Sequence, residues 1–173
     1  MTNDDSECEY CFPIEVGHII TEPQGVLCKC GNHGCFEAMY NIIRIIESVN
    51  DKAGLELPSE DEFDSETNKE SMRVIARFLD EGNKLVTDTI QGLADEIIRW
   101  LVGIVSADQP DQIYLCGSAT LLGKKFLDMI NSKLQQYTLL NDENNMTVHY
   151  SCVGNEEKRK GAVYMLLDEI YAL

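Results

Sequence analysis

His18, Cys28, Cys30 and Cys35 fall within residues 18–35, spaced His-x9-Cys-x-Cys-x4-Cys. Three thiolates and an imidazole are the soft and borderline donors that a tetrahedral zinc ion prefers. Four protein ligands fill the coordination sphere and leave no position for a catalytic water, so the implied chemistry is structural rather than hydrolytic. Gly25, Gly31 and Gly34 are interleaved with the ligands and permit the tight turns that bring three sulfurs around one ion. The bland alternative is four unrelated residues in a loop whose cysteines are simply buried. The agreement of ligand count with loop glycines argues against it.

The elements that must position these residues follow from apolar spacing. Val16 to Ile20 reads as a short strand entering the glycine- and cysteine-rich loop. From Phe36 the pattern becomes helical, with Phe36, Met39, Tyr40, Ile43 and Ile46 on one face of a helix running to about Val49. Gly54 and Pro58 punctuate a stretch crowded with Glu56, Glu60, Asp61, Glu62, Asp64 and Glu66, which reads as a solvated loop. Glu70 to Asp80 reads as a second helix, with Met72, Ile75, Ala76 and Leu79 inward, broken by Gly82. A long third helix carries a broad stripe of Leu85, Val86, Ile90, Leu93, Ile97, Trp100, Leu101 and Ile104. Gln112 to Cys116 is a short strand, and Gly117-Ser118 turns directly into a helix from about Thr120 to Gln136, with Leu122, Phe126, Met129, Ile130 and Leu134 inward. Met146 to Cys152 reads as a further strand and Gly161 to Tyr171 as a last helix. Strand, glycine turn and helix in succession predict an α/β fold.

Composition narrows the function classes. The 173 residues are 44% hydrophobic and 25% charged, as expected of a globular chain with a real core. Thirty acidic residues against fourteen basic ones give a formal charge of −16, which repels phosphate backbones and argues against direct nucleic-acid binding. No apolar run approaches the roughly 20 residues that span a bilayer, and the acidic start of the chain is unlike a signal peptide. A cytoplasmic location is the expectation, and seven cysteines there read as metal ligands or buried small residues rather than a disulfide framework. Cys8-x-x-Cys11 reads as an incidental pair, His33 as exposed because His18 completes the ligand set, and His149 as a structural strand residue.

Glu15-Val16-Gly17-His18, then Glu22-Pro23-Gln24-Gly25, then Cys28-Lys29-Cys30-Gly31-Asn32-His33-Gly34-Cys35-Phe36-Glu37 resembles the signature of the ROK family. That family comprises bacterial sugar kinases, amino-sugar kinases and sugar-responsive repressors. Its usual pattern is Gly-Glu-Ile-Gly-His, a spacer, then Cys-x-Cys-Gly-x-x-Gly-Cys-x-Glu. This sequence departs from it at Ile14, where a glycine is usual, and after Glu37, where Ala38-Met39-Tyr40-Asn41 stands. The resemblance implies that the histidine and three cysteines hold structural zinc, and that Glu15, His18 and Glu37 reach hydroxyls of a hexose or N-acetylhexosamine. Carboxylates accept paired hydrogen bonds from vicinal hydroxyls, and metal on one imidazole nitrogen fixes the ring so that the other can bond. Without the motif, Glu37 reads as a carboxylate favoured by the first turn of a helix.

A looser likeness covers the second half. Ile113 to Ser118 stands where the family has a strand ending in Gly-Gly beside the adenine of ATP, so Gly117 takes the nucleotide-facing position by resemblance, with Cys116 where the first glycine often lies. The implied fold is a partial RNase H-like lobe, the C-terminal lobe of the actin and sugar kinase superfamily. It would span residues 15–173 after a tail of residues 1–14, with a zinc loop and a helix-rich insertion before the Ile113 strand. The family's Asp-x-Gly-x-Thr phosphate loop and its catalytic aspartate are expected ahead of this lobe, so no catalytic residue is nominated here. ATP and magnesium would act only with an N-terminal lobe. Two readings stand: the C-terminal part of an ATP-dependent hexose or amino-sugar kinase, inactive alone, or the sugar-sensing part of a repressor or a non-catalytic remnant. A homodimer, or association with an N-terminal half, is the expected assembly.

Overall fold

A computed structural model describes residues 16–108, 110, 112–136, 146–151, 160, 163 and 164. The chain divides into two compact units, residues 1–71 and 72–173. In the first unit the segment expected to be a strand is instead one 3-10 turn, Val16–His18, closed by Ile19 N–H donating to the Val16 carbonyl at 3.2 Å. Extended pairing survives only beyond it, where Ile20 bridges Cys35 in antiparallel fashion and Phe36 N–H donates to the Ile19 carbonyl at 2.8 Å. A run of β-branched residues reads as a strand, but the turn brings His18 to the cysteines.

The helix expected over residues 36–49 is two helices, α1 (Phe36–Met39) and α2 (Ile42–Ala53). Asn41 separates them: its backbone is extended and its Oδ1 accepts the Arg44 N–H at 3.0 Å, capping α2. The apolar period runs through the break, which is why periodicity missed it. Helix α2 buries Ile42, Ile45, Ile46 and Val49, and ends at Gly54 in the left-handed conformation.

The acidic stretch after α2 is exposed at its carboxylates yet held from below. Asn50 Nδ2 donates to the Leu57 carbonyl at 2.8 Å, and its Oδ1 accepts the Leu57 N–H at 2.9 Å. Fully buried Asn68 accepts the Glu60 N–H and donates to the Glu60 and Glu62 carbonyls, all within 2.9 Å. Asn68 lies on α3 (Glu66–Asp80), four residues longer at its start than the periodicity predicts because Ser65 Oγ caps it, accepting the Asn68 N–H at 3.1 Å.

The boundary between the units falls within α3, and the second unit begins with its buried Met72, Ile75 and Leu79. Gly82 ends the helix as expected, and Asn83 caps α4 (Lys84–Asp108) by accepting the Val86 N–H at 3.1 Å. Helix α4 buries Val86, Ile90, Leu93, Ala94, Ile97, Ile98, Leu101 and Val105. The stripe read from the sequence is turned slightly: Leu85 is exposed, and Trp100 and Ile104 are half-buried. Helix α4 packs on α5 (Gly123–Leu134), which contributes Phe126, Ile130 and Leu134, while Met129 is half-buried.

Two parallel strands, β1 (Ile113–Leu115) and β2 (Val148–Tyr150), pair with Ile113 opposite Val148, and α5 lies between them in sequence and packs against β2. This is a strand–helix–strand unit, as the sequence predicts. Asn131 of α5 fastens it, exchanging two hydrogen bonds of 2.8 and 3.0 Å with the Val148 backbone. The last expected helix, Gly161 to Tyr171, lies largely outside the described residues, as do Cys8, Cys11 and Glu15.

Candidate metal centre

The loop between the 3-10 turn and α1 is organised by its own backbone. Cys28 N–H donates to the Asn32 carbonyl at 2.8 Å and Gly31 N–H to the Cys28 carbonyl at 3.0 Å, making a tight turn that presents Cys28 and Cys30 together. Gly31, at φ 91°, supplies the left-handed residue this turn requires. The Gly34 carbonyl accepts Thr21 N–H at 2.9 Å, Glu22 N–H at 3.2 Å and the Thr21 hydroxyl at 3.2 Å. Gly34 sits at φ 70°, pressed so closely on Glu22 that a Cβ there would lie 1.5 Å from the Glu22 carbonyl oxygen.

These constraints bring the four expected ligands together. One donor atom from each of His18, Cys28, Cys30 and Cys35 lies within 4.8 Å of all the others. His18 Nδ1 is 3.6 Å from Cys28 Sγ, and Cys30 Sγ is 3.5 Å from Cys35 Sγ. Zinc bonds of about 2.0–2.3 Å in tetrahedral array separate their donors by roughly 3.3–3.8 Å, so these two separations and the donor chemistry fit that ion. Cys28 and Cys35 are buried and Cys30 is exposed. Burial, reinforced by the neighbouring Cys30 and Cys28 sulfurs, pushes the Cys35 thiol up to about 12. The Cys30 thiol is held below its ordinary value, chiefly by the Asn32 backbone N–H. The Cys35 thiol thus resists ionising, and a bound dication would reverse that resistance.

Beside the ligands, Glu37 lies against Gly17: a Cβ built on Gly17 would be 3.1 Å from Glu37 Oε2. The Glu37 residue is exposed, in the first turn of α1, next to the turn that carries His18. His33 is exposed as expected, with Nδ1 3.0 Å from the Gly25 carbonyl. Sequence reasoning passed over Asn32, which shapes the Cys28–Cys30 turn with its carbonyl and N–H, and Lys29, whose ammonium lies 5.5 Å from the Phe63 ring centroid. An asparagine after Cys-Gly is the one signal that marked the turn.

The turn at the second expected site differs from its reading in local structure. Gly117 does take a positive φ of 80°, but the turn does not pass directly into a long helix. A six-residue 3-10 segment, Gly117–Leu122, intervenes, and α5 starts only at Gly123, whose φ is 74°. Thr120 Oγ1 donates to the Gly117 carbonyl at 2.8 Å, and Tyr150 donates to the Gly123 carbonyl at 2.9 Å and, more loosely, to that of Ala119 at 3.4 Å. His149 is exposed, its Nε2 2.8 Å from the Thr147 hydroxyl.

Several known proteins are similar to this chain in sequence or fold. The DNA-binding transcriptional repressor Mlc of Escherichia coli is 23% identical over 160 residues, covering 91% of this chain and 38% of Mlc. The crystal structure of the ROK hexokinase from Thermus thermophilus superposes with a TM-score of 0.65 at 19% identity, over 90% of this chain and 48% of that one. A ROK family glucokinase from Streptomyces griseus, solved with glucose and AMPPNP, gives 0.60 at 18% identity, over 83% and 47%. The chain thus spans less than half the length of the proteins it matches. Its α/β architecture, helix-rich with a small parallel sheet, is that of the ROK sugar kinase fold. The sequence matches the ROK family over residues 12–169, and the chain belongs to that family.

Proposed function

We propose that this chain is a zinc-stabilised hexose- or N-acetylhexosamine-binding lobe of a ROK protein, in which His18, Cys28, Cys30 and Cys35 hold the ion and Glu15, His18 and Glu37 face the sugar. The observation that carries the reading is the seating of Glu37 against Gly17 while His18 turns Nδ1 toward the sulfurs. One imidazole nitrogen then serves the metal cluster and the other remains for a hydroxyl, beside a carboxylate that accepts from neighbouring hydroxyls. The zinc supplies no reaction chemistry when bound; it fixes ligand orientation. The lobe itself is of the RNase H-like kind, and its setting is the cytoplasm, as a homodimer or with an N-terminal half.

The first reading of the parent activity is an ATP-dependent hexose or amino-sugar kinase. In that reading magnesium-ATP is handled jointly with an N-terminal lobe, and the turn at Gly117 approaches the nucleotide. The match to Mlc over most of the chain favours a second reading, the sugar-sensing part of a repressor. Titrations with glucose, N-acetylglucosamine and N-acetylmannosamine test the shared core of both. One sugar is expected to bind with heat release, and Glu37→Gln is expected to weaken it about tenfold or more while leaving zinc content unchanged. No binding by the zinc-loaded protein would overturn the sugar site. AMPPNP separates the readings: nucleotide binding abolished by Gly117→Val supports the kinase, and sugar binding without nucleotide binding supports the sensor.

A further inference from the structure

The four ligands are not equally protected. Cys28 and Cys35 are buried, whereas Cys30 is exposed, so a small oxidant in solution meets Cys30 first. Two sulfurs neighbour it: Cys35 Sγ lies 3.5 Å from Cys30 Sγ, while Cys28 Sγ, also close to Cys30, has His18 Nδ1 beside it at 3.6 Å. A disulfide bond is about 2.05 Å long, so the pair must close by roughly 1.5 Å. The segment between them contains Gly31 and Gly34, both at positive φ, and Gly31 has open space around its Cα.

From this we infer that Cys30 and Cys35 form a reversible oxidation site for hydroperoxides, at which closure of a disulfide releases the zinc. The Cys30 thiolate attacks the terminal peroxide oxygen; the S–O bond forms, the O–O bond breaks, and hydroxide or alkoxide leaves and takes up a proton. The Cys35 thiolate then attacks the Cys30 sulfenic sulfur; the S–S bond forms, the S–O bond breaks, and hydroxide leaves as water after protonation. Two electrons pass from the two thiolates to the peroxide. The remaining His18 and Cys28 offer two donors, too few to hold a tetrahedral ion. Cys35 also precedes the first residue of α1, which carries Glu37, so bridging acts at the root of the proposed sugar site.

The inference rests on the zinc reading and is independent of the sugar. Its test uses the zinc-loaded chain treated with hydrogen peroxide, with metal release followed by a chromogenic chelator and thiols mapped by alkylation and trypsin. Cleavage after Lys29 and Arg44 gives a peptide that contains Cys30 and Cys35 and no other cysteine. The expected result is stoichiometric zinc release, with this peptide unalkylated and lighter by two hydrogens, and full reversal by a thiol reductant and added zinc. Cys30→His keeps a zinc ligand without a thiol, and is expected to retain its metal at peroxide concentrations that empty the parent. Zinc retained while other thiols oxidise, or a bridge through Cys28, would overturn the inference and leave the zinc reading intact. A protein that takes up no zinc at all would overturn both. Should Cys30→His fail to fold, the peptide map of the parent decides alone.

Discussion

At Gly34 a single hydrogen separates a working loop from a collision. A β-carbon there would stand 1.5 Å from the Glu22 carbonyl oxygen, and the residue lies at φ 70° besides. Gly34→Ala must therefore open the Thr21–Gly34 and Glu22–Gly34 hydrogen bonds that hold His18 and Cys35 in one cluster. The expected cost is about 3 kcal/mol or more, with zinc affinity falling alongside, measured by urea unfolding and competitive chelation. Gly31→Ala also meets a positive φ but open space, so its penalty is expected to be about 1 kcal/mol. The clustering of His18, Cys28, Cys30 and Cys35 was legible in the sequence because their spacing is local. The reason for Gly34 was not, because it lies in a backbone approach between residues twelve apart.

At the scale of elements, asparagines do what strands do elsewhere. Asn41, Asn50, Asn68, Asn83 and Asn131 each satisfy backbone groups at a helix start, a loop or a strand. Periodicity registers apolar faces and is blind to such residues, which is why the break at Asn41 and the early start of α3 escaped it. Helices α3, α4 and α5 and both strands were legible, because each turns its less exposed residues to one face at its own period. Asn68→Ala removes three hydrogen bonds from a buried position and is expected to cost about 2–3 kcal/mol in chemical denaturation, with faster proteolysis within residues 57–64. Burial, with the Asp128 carboxylate nearby, raises the Tyr150 phenol above its ordinary value. A raised value means that the folded state favours the protonated form. Its contribution is therefore complete below about pH 10, where the unfolded phenol titrates, and is lost as pH rises through the higher folded value. Tyr150→Phe is expected to flatten the alkaline fall in stability, seen by comparing denaturation midpoints at neutral pH and above pH 10.

At the scale of the whole molecule, all four ligands belong to the first unit, and the strand–helix–strand crossover belongs to the second. Chelation with phenanthroline is expected to strip amide protection from residues 18–40 first, with a loss on the order of several kcal/mol there, while α4 and α5 keep theirs. Hydrogen exchange with mass detection reads the two separately, and equal loss in both would contradict it. No helix among the described residues is long and apolar enough to cross a membrane. The α/β class was legible because strand, turn and helix follow one another in the chain. The interruption at Gly117–Leu122 was not, since a 3-10 segment carries the same composition as a helix start.

The parallel register of β1 and β2 bears on time as well as shape. Ile113 meets Val148 only after the chain has passed through the whole of α5, so this pairing closes a long loop before any hydrogen bond rewards it. The cysteine loop closes over a few residues at each step, within 18–35. On a chain emerging from the ribosome, the proposed metal cluster can be complete while the sheet's second strand has yet to be synthesised. On the proposed zinc reading, metal supply would then act on the nascent chain, as an early checkpoint for maturation.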